Sequence, residues 1–295
     1  MIFNNLLIAS DFSKHADWAL QRAINLAKSN QAQIHFLHVI TTPLSDIAQF
    51  SDTELQAHFL SEKKEIEGQI LKKLTDTRTL IAKTKVVFGK AANEIVRYAD
   101  ENHCELIVAG AHGRYYINEY VLGTTSGSII SQSHVPVLLV KKEPDFTYKR
   151  IVIATDLSET SRETVQFTFK SFPHATFQLL HIIDIHHKQF FNPADLIEEF
   201  VDIDMPKTKG ILEKMDDFLK QCHVDKSRFD KKIIGGYYAD CIIRQAQKWN
   251  ADLLAFGTQS KSRLHYLLMG SVAKRILHLS TVDMLAVPPK LPPKG

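Results

Sequence analysis

Two clusters of small residues have types and spacing that could do chemistry. In the first half, Gly110-Ala111-His112-Gly113 follows an apolar run, nine residues intervene, and Gly123-Thr124-Thr125-Ser126 then opens a segment that reads as a helix. The spacing is G-x2-G-x9-G-[ST]. Glycines let a backbone approach a polyphosphate closely, and amides at a helix N-terminus, joined by hydroxyls, donate to its oxygens. The chemistry implied is a phosphate cradle. Glycines after strands also serve tight turns alone, and the triple spacing is what weighs against that simpler reading. The second half reads Gly257-Thr258-Gln259-Ser260, nine residues, then Gly270-Ser271. Here Ser260 stands where the second glycine was, adding a Cβ where the backbone needs positive φ or close phosphate approach. Binding is expected to weaken there, so Asp156, Gly257, Ser260, Gly270 and Ser271 outline a weak second site, with inherited structure as the competing account.

Other residue types point away from catalysis. Asp11 ends an apolar run just before a helical pattern, a place for a ligand contact and equally for a turn or cap. His112 falls between two of the glycines, with an exposed loop histidine as the plain alternative, and nothing marks it as a base. No catalytic residue is assigned. His38 and His181 end matching strands and read as paired structural positions. His186-His187 has no carboxylate or cysteine at metal-ligand spacing, so no metal site built by the protein is expected. Any Mg²⁺ would arrive with bound phosphates. A G-x4-G-K-[ST] loop, a G-x-G-x-x-G fingerprint and a serine nucleophile elbow are all missing, which argues against a vigorous ATPase or a dehydrogenase.

The elements that must position these residues come in two copies. Leu6 to Ser13 matches Ile151 to Ser158, and Ile34 to Ile40 matches Phe177 to Ile183. Glu105 to Gly110 matches Asp252 to Gly257, and Val135 to Val140 matches Val282 to Val287, all about 145 residues apart. Each copy alternates short apolar runs with amphipathic ones, the pattern of βαβ units building a mainly parallel sheet covered on both faces. Ala16, Leu20, Ala23 and Ala27 fall at helical spacing with Ser13 as N-cap. Asp52 to Leu74 reads as a second helix, Thr84 to Phe88 as a strand, and Ile95 and Tyr98 lie on a third helix. The counterparts are Ala194 to Lys220, Lys231 to Ile234, and a helix bearing Ile242 and Ala246. The fold class is α/β, two tandem doubly wound sheets of five strands with helices on both faces. The polar, proline-bearing segment Lys142 to Tyr148 separates residues 1–145 from residues 146–295, with the boundary near Phe146.

Composition sets the outer bounds. The chain has 295 residues, 44% hydrophobic and 23% charged, which fits two globular domains. A net charge of +3 without a block of like charge gives no sign of a nucleic-acid arm or a membrane patch. No run approaches the roughly 18 apolar residues of a membrane span, and the start lacks a basic leader. A cytoplasmic protein is expected. Three cysteines, Cys104, Cys222 and Cys241, lack C-x-x-C pairing and read as reduced structural thiols.

Gly110, Gly113, Gly123 and Thr124, with the first-strand run ending in Asp11 and the tail Val135-Pro136-Val137-Leu138-Leu139-Val140, resemble the ATP-binding branch of the universal stress protein family. The resemblance covers essentially the whole chain, as two consecutive copies, and implies the adenine nucleotide alpha hydrolase-like fold. It implies that Ala9, Asp11 and Val39 contact the nucleoside of ATP. Ala109, Gly110, His112, Gly113, Gly123, Thr124, Thr125 and Ser126 would then surround the ribose and phosphates. Besides Ser260, the second copy departs at Val282-Asp283-Met284, which lacks the proline of the first. The resemblance further implies an intramolecular pseudo-dimer through the last strands, and leaves open a homodimer of chains. Function is expected to be stress-linked regulatory binding of an adenine nucleotide, with at most slow ATP hydrolysis. A nucleotide-independent scaffold or chaperone-like protein is the alternative.

Overall fold

The computed structural model describes residues 3–41, 52–74, 80–113, 123–144, 147–183, 205–259 and 269–289, with side chains from residue 59 in the second of these segments and from residue 208 in the sixth. The chain divides into two compact units, Met1–Pro144 and Asp145–Gly295. Phe146, at the expected boundary, lies outside the described residues, as do His186, His187 and Ser260.

Unit 1 runs β1 (Asn5–Ala9), α1 (Lys14–Asn30), β2 (Gln33–Ile40), α2 (Asp52–Lys73), β3 (Ile81–Phe88), α3 (Ala91–Glu101), β4 (Leu106–Gly110), α4 (Thr124–Gln132) and β5 (Val137–Val140). Its strand order is β3-β2-β1-β4-β5, every pairing parallel. Unit 2 repeats this with β6 (Arg150–Thr155), α5 (Glu159–Ser171), β7 (Thr176–Ile183), α6 (Met205–Gln221), β8 (Phe229–Gly235), α7 (Tyr238–Lys248), β9 (Leu253–Gly257), α8 (Ser271–Leu279) and β10 (Asp283–Val287). Its order is β8-β7-β6-β9-β10, again parallel. The expected α/β class of two doubly wound sheets is what folds. The expected helix from Ala194 is seen from Met205 onward; residues 194–204 lie outside the described residues.

Sequence explains these elements directly. Leu6, Leu7, Ile8 and Ala9 are all buried, and since successive strand residues face opposite ways, both faces of β1 are covered. Ser13 caps α1, its hydroxyl accepting from the Ala16 amide at 3.2 Å. Ser158 does the same for α5 through the Ser161 amide at 3.3 Å. Strand β3 starts three residues before the apolar signal, because it pairs only with β2 in its unit and leaves Ala82, Lys83, Thr84 and Lys85 exposed. Polar lysine-bearing edges of this kind carry no apolar run and resist further pairing. Chain direction across the sheet reverses between β1 and β4, and in unit 2 between β6 and β9. Ligands of such sheets bind at the carboxyl ends of the strands flanking that reversal.

At the opposite end, each unit carries a polar layer between its second strand and third helix. In unit 1, buried His35 lies with Nδ1 3.3 Å from the Tyr98 hydroxyl, in register with Lys83 on β3. In unit 2 the matching places hold Gln178, Gln245 and Asp230. Gln245 donates to Gln178 at 2.7 Å and Gln178 donates to Asp230 at 2.6 Å. Burial, then the Lys83 charge, pushes the His35 imidazole below its ordinary value. Burial likewise pushes the thiol of Cys104 up to about 12, with Cys222 also at about 12, so these two thiols stay protonated and inert.

Because the fold favours neutral His35, the unfolded chain takes up the proton first as pH falls. Stability from this residue is therefore complete above about pH 6.5 and declines as pH drops through that value. Denaturant titrations of wild type and His35→Gln, which imports the side chain unit 2 uses, are expected to diverge below about pH 6.5, with wild type losing more.

Candidate functional site

The carboxyl ends of β1 and β4 converge on one turn. After Ala9 the chain passes Ser10 and Asp11, and Phe12 adopts a left-handed conformation with φ of 61°. Leu157 repeats it with φ of 59°. A bulky residue there is uncommon and costs about 1 kcal/mol or more, so side chains must hold the turn. The Ser10 hydroxyl accepts from the Phe12 amide at 3.2 Å and the Asp11 carboxylate accepts from the Ser13 amide at 3.0 Å. The Phe12 ring packs on His38 with centroids 4.8 Å apart. The His38 ring nitrogen Nδ1 lies 2.7 Å from the Ser10 carbonyl. A carbonyl only accepts, so this nitrogen carries the hydrogen. His181 repeats the contact to Thr155 at 3.0 Å, so the two histidines do serve as matching structural positions.

From β4, Gly110 meets this turn at backbone distance. A methyl group on Gly110 would lie 2.8 Å from the His15 carbonyl carbon and 3.0 Å from the Ala16 amide nitrogen. Gly110 is thus required for close packing of α1, whatever it binds. The chain continues through buried Ala111 and His112. The His112 ring stands edge-on to His15 at 4.9 Å, and its carbonyl accepts from the Ser13 hydroxyl at 3.5 Å. His112 is only 5% exposed, which removes the plain alternative of an exposed loop histidine. Packing of α1 against β4 draws it inward. Gly113 is exposed, and a methyl on it would lie 2.9 Å from the Asp11 oxygen Oδ2. The aspartate therefore fills its turn role with one oxygen and sets the other beside the second glycine.

Residues 114–122 lie outside the described residues. Gly123 returns to the site, its amide donating to the Ala111 carbonyl at 3.0 Å, and N-caps α4 without a side-chain cap bond. Thr124 and Thr125 are exposed at the start of that helix. Ser126 is buried, and its hydroxyl donates to the Gly110 carbonyl at 2.9 Å, tying both glycine segments together. That bond, the imidazole pair and the Ser13 contact to the His112 carbonyl carry no signal in local sequence. Ala9, Ala109 and half-buried Val39 close the floor at the ends of β1, β4 and β2. The arrangement offers a carboxylate at one end, and at the other a helix N-terminus whose cap residue, Gly123, has no side chain to bond its amides. Such an end attracts anions.

Unit 2 builds the same turn more loosely at its loop. A methyl on Gly257 would lie 3.3 Å from the Thr160 methyl carbon Cγ2, and among the described residues one on Gly270 would meet the Thr258 carbonyl at 3.8 Å. Asp156 accepts from the Ser158 amide at 3.0 Å and from the Ser161 hydroxyl at 2.7 Å. Ser271 is exposed at the start of α8. Among the described residues no group of three or more His, Cys, Asp or Glu could hold a metal ion, and no helix is long and apolar enough to cross a membrane.

A model of the universal stress protein family matches this chain twice, over residues 3–141 and 147–288. The universal stress protein YxiE of Bacillus subtilis is 32% identical over 153 residues, which is 48% of this chain and 100% of that protein. A universal stress protein of Methanocaldococcus jannaschii is 29% identical over 142 residues, covering 48% of this chain and 84% of the relative. Among solved structures, a universal stress protein from Archaeoglobus fulgidus is 18% identical with a TM-score of 0.67, covering 96% of this chain and 98% of the other. A putative universal stress protein from Pseudomonas aeruginosa is 16% identical with a TM-score of 0.63, covering 98% and 94% respectively. At these identities the structures speak for the fold.

Gly110, which opens the loop of unit 1, and Gly270, which closes that of unit 2, should respond differently to a methyl group. Gly110→Ala forces backbone apart and is expected to cost about 2 kcal/mol or more, whereas Gly270→Ala loses only a favourable cap, under about 1 kcal/mol. Urea denaturation of each variant measures both.

Proposed function

The chain belongs to the universal stress protein family, and we propose on that premise that its first unit binds ATP. In this reading the protein is a stress-linked regulatory binding protein. The observation that carries it is the meeting of Asp11 with Gly113 beside the glycine-capped start of α4. A carboxylate there can accept from ribose hydroxyls. The amides of the first turn of α4, with the exposed hydroxyls of Thr124 and Thr125, can donate to phosphate oxygens. Gly113 leaves the path between them open, since any side chain would fill the space against Asp11. Ala9, Val39 and Ala109 supply an apolar floor for the base. His112 and Ser126 act in this reading by shaping the loop, their groups already engaged with α1 and with Gly110. Magnesium would come with the phosphates and neutralise part of their charge.

No group in this arrangement is assigned to activate water, so the role we infer is occupancy and not turnover. A nucleotide biases a protein only through different affinity for two states, which is what a regulatory partner would read. The tandem duplication puts two such modules in one chain, and we infer a cytoplasmic pseudo-dimer in which one unit carries the ligand.

Calorimetric titration of nucleotide-stripped protein with Mg-ATP tests this. About one ATP per chain is expected, with binding weakened at least tenfold in Gly113→Ala while the unfolding midpoint stays within about 2 °C. Absence of binding at millimolar ATP would sink the reading and leave a nucleotide-independent scaffold in front.

A further inference from the structure

One lysine from outside the site reaches the turn that presents Asp11. Lys73 is the last residue of α2, and Ile70 and Leu74 on either side of it are buried, so the helix end that carries it is anchored in the core. Its ammonium group pairs with the carboxylate of Asp17 in the first turn of α1 and lies 5.8 Å from the centroid of the Phe12 ring. Each charge also suits its helix, a cation at the carboxyl end of α2 and an anion at the amino end of α1. Phe12 thus meets His38 from β2 and Lys73 from α2. Both bonds of the turn, from the Phe12 amide to the Ser10 hydroxyl and from the Ser13 amide to the Asp11 carboxylate, are set by the backbone at this residue. Its left-handed conformation carries a cost that contacts to the ring offset. Unit 2 is built otherwise. Leu157 offers no ring, and Arg162 stands in place of Asp17 and pairs with Glu159 of its own helix. Lys220, in the last turn of α6, pairs with Asp217 of that helix at 2.7 Å.

Resting on the nucleotide reading above, we propose that Lys73 is a positioning residue for ATP in unit 1, strapping α2 to the left-handed turn so that Oδ2 of Asp11 stays beside Gly113. The strap also makes α2 the element that senses occupancy. A ligand that fixes Asp11 fixes the turn, and by reciprocity the turn then holds the end of α2 more firmly. The pair stands partly in water, so the strap tunes affinity and does not switch it off.

Lys73→Met nearly keeps the length of the side chain and removes its charge. Calorimetry is expected to show Mg-ATP and adenosine both weakened about fivefold, with the unfolding midpoint within about 2 °C of wild type. Equal loss for adenosine separates placement of the carboxylate from a direct lysine contact to phosphate, which would weaken ATP alone. Asp17→Asn is expected to shift affinity the same way, and the double variant to lose no more than Lys73→Met, because the two groups act as one. Lys220→Met, which removes the last-turn pair of α6, is expected to leave affinity at the wild-type value. Hydrogen exchange gives the reciprocal readout: Mg-ATP slows exchange of the Leu74 amide in wild type and not in Lys73→Met. Unchanged affinity in Lys73→Met, a loss confined to ATP, additive losses in the double variant, equal weakening by Lys220→Met, or a Leu74 amide indifferent to ATP in wild type would each overturn the proposal and leave the nucleotide reading standing. No ATP binding by wild type would remove both.

Discussion

The structure turns on the near-contact between the end of β4 and the first turn of α1. Gly110 passes so close to His15 and Ala16 that no side chain fits between them. In unit 2 the same place is looser, with a methyl on Gly257 lying 3.3 Å from the side chain of Thr160. This approach sets the positions of Asp11, His112 and Gly113 together, because His112 and Gly113 follow Gly110 directly along the chain and Asp11 precedes His15 by a single turn. It also makes the helix cap part of the site, since Ser13 both starts α1 and contacts the chain beyond β4. Packing of α1 and the placement of these residues are therefore not separable here.

Much of this was legible in sequence, for physical reasons. Parallel strands buried on both faces must be written as continuous apolar runs, so β1, β4, β6 and β9 announce themselves, and their repetition gives the duplication. Ser13 and Ser158 sit where helix starts need a hydroxyl, and both cap. The edge strand β3 was only half visible because its exposed residues need no apolar character. The glycine spacing points to a loop between β4 and α4 but not to the task of each glycine. Whether a glycine admits a helix, faces a carboxylate or caps α4 depends on what the fold brings opposite it, and for Gly110, Gly113 and Gly123 the three answers differ. The engagement of Ser126 with Gly110, and of His112 with His15, depends on the same tertiary approach, and no local pattern encodes it.

The comparison of units shows which parts of the design are fixed and which are free. Backbone devices recur: the left-handed turn, the histidine bonded to the turn carbonyl, the capped helix start. Side-chain chemistry in matching layers does not. The layer that holds His35, Tyr98 and Lys83 in one unit holds Gln178, Gln245 and Asp230 in the other, so one is titratable at its centre and the other is an amide chain ending on a carboxylate. Both link polar groups by hydrogen bonds inside a packed layer, with different sensitivity to protons, although Oε1 of Gln245 finds no partner among the described residues.

The left-handed residue after Asp11 and after Asp156 also limits how this gene can drift. The two copies hold Phe12 and Leu157 there, residues that the genetic code connects through a single-base change. Valine and isoleucine are equally near to phenylalanine in the code and similar in hydrophobicity. Branching at Cβ makes positive φ far more costly for them, so a single-base change that looks conservative on any hydropathy scale would unseat the turn.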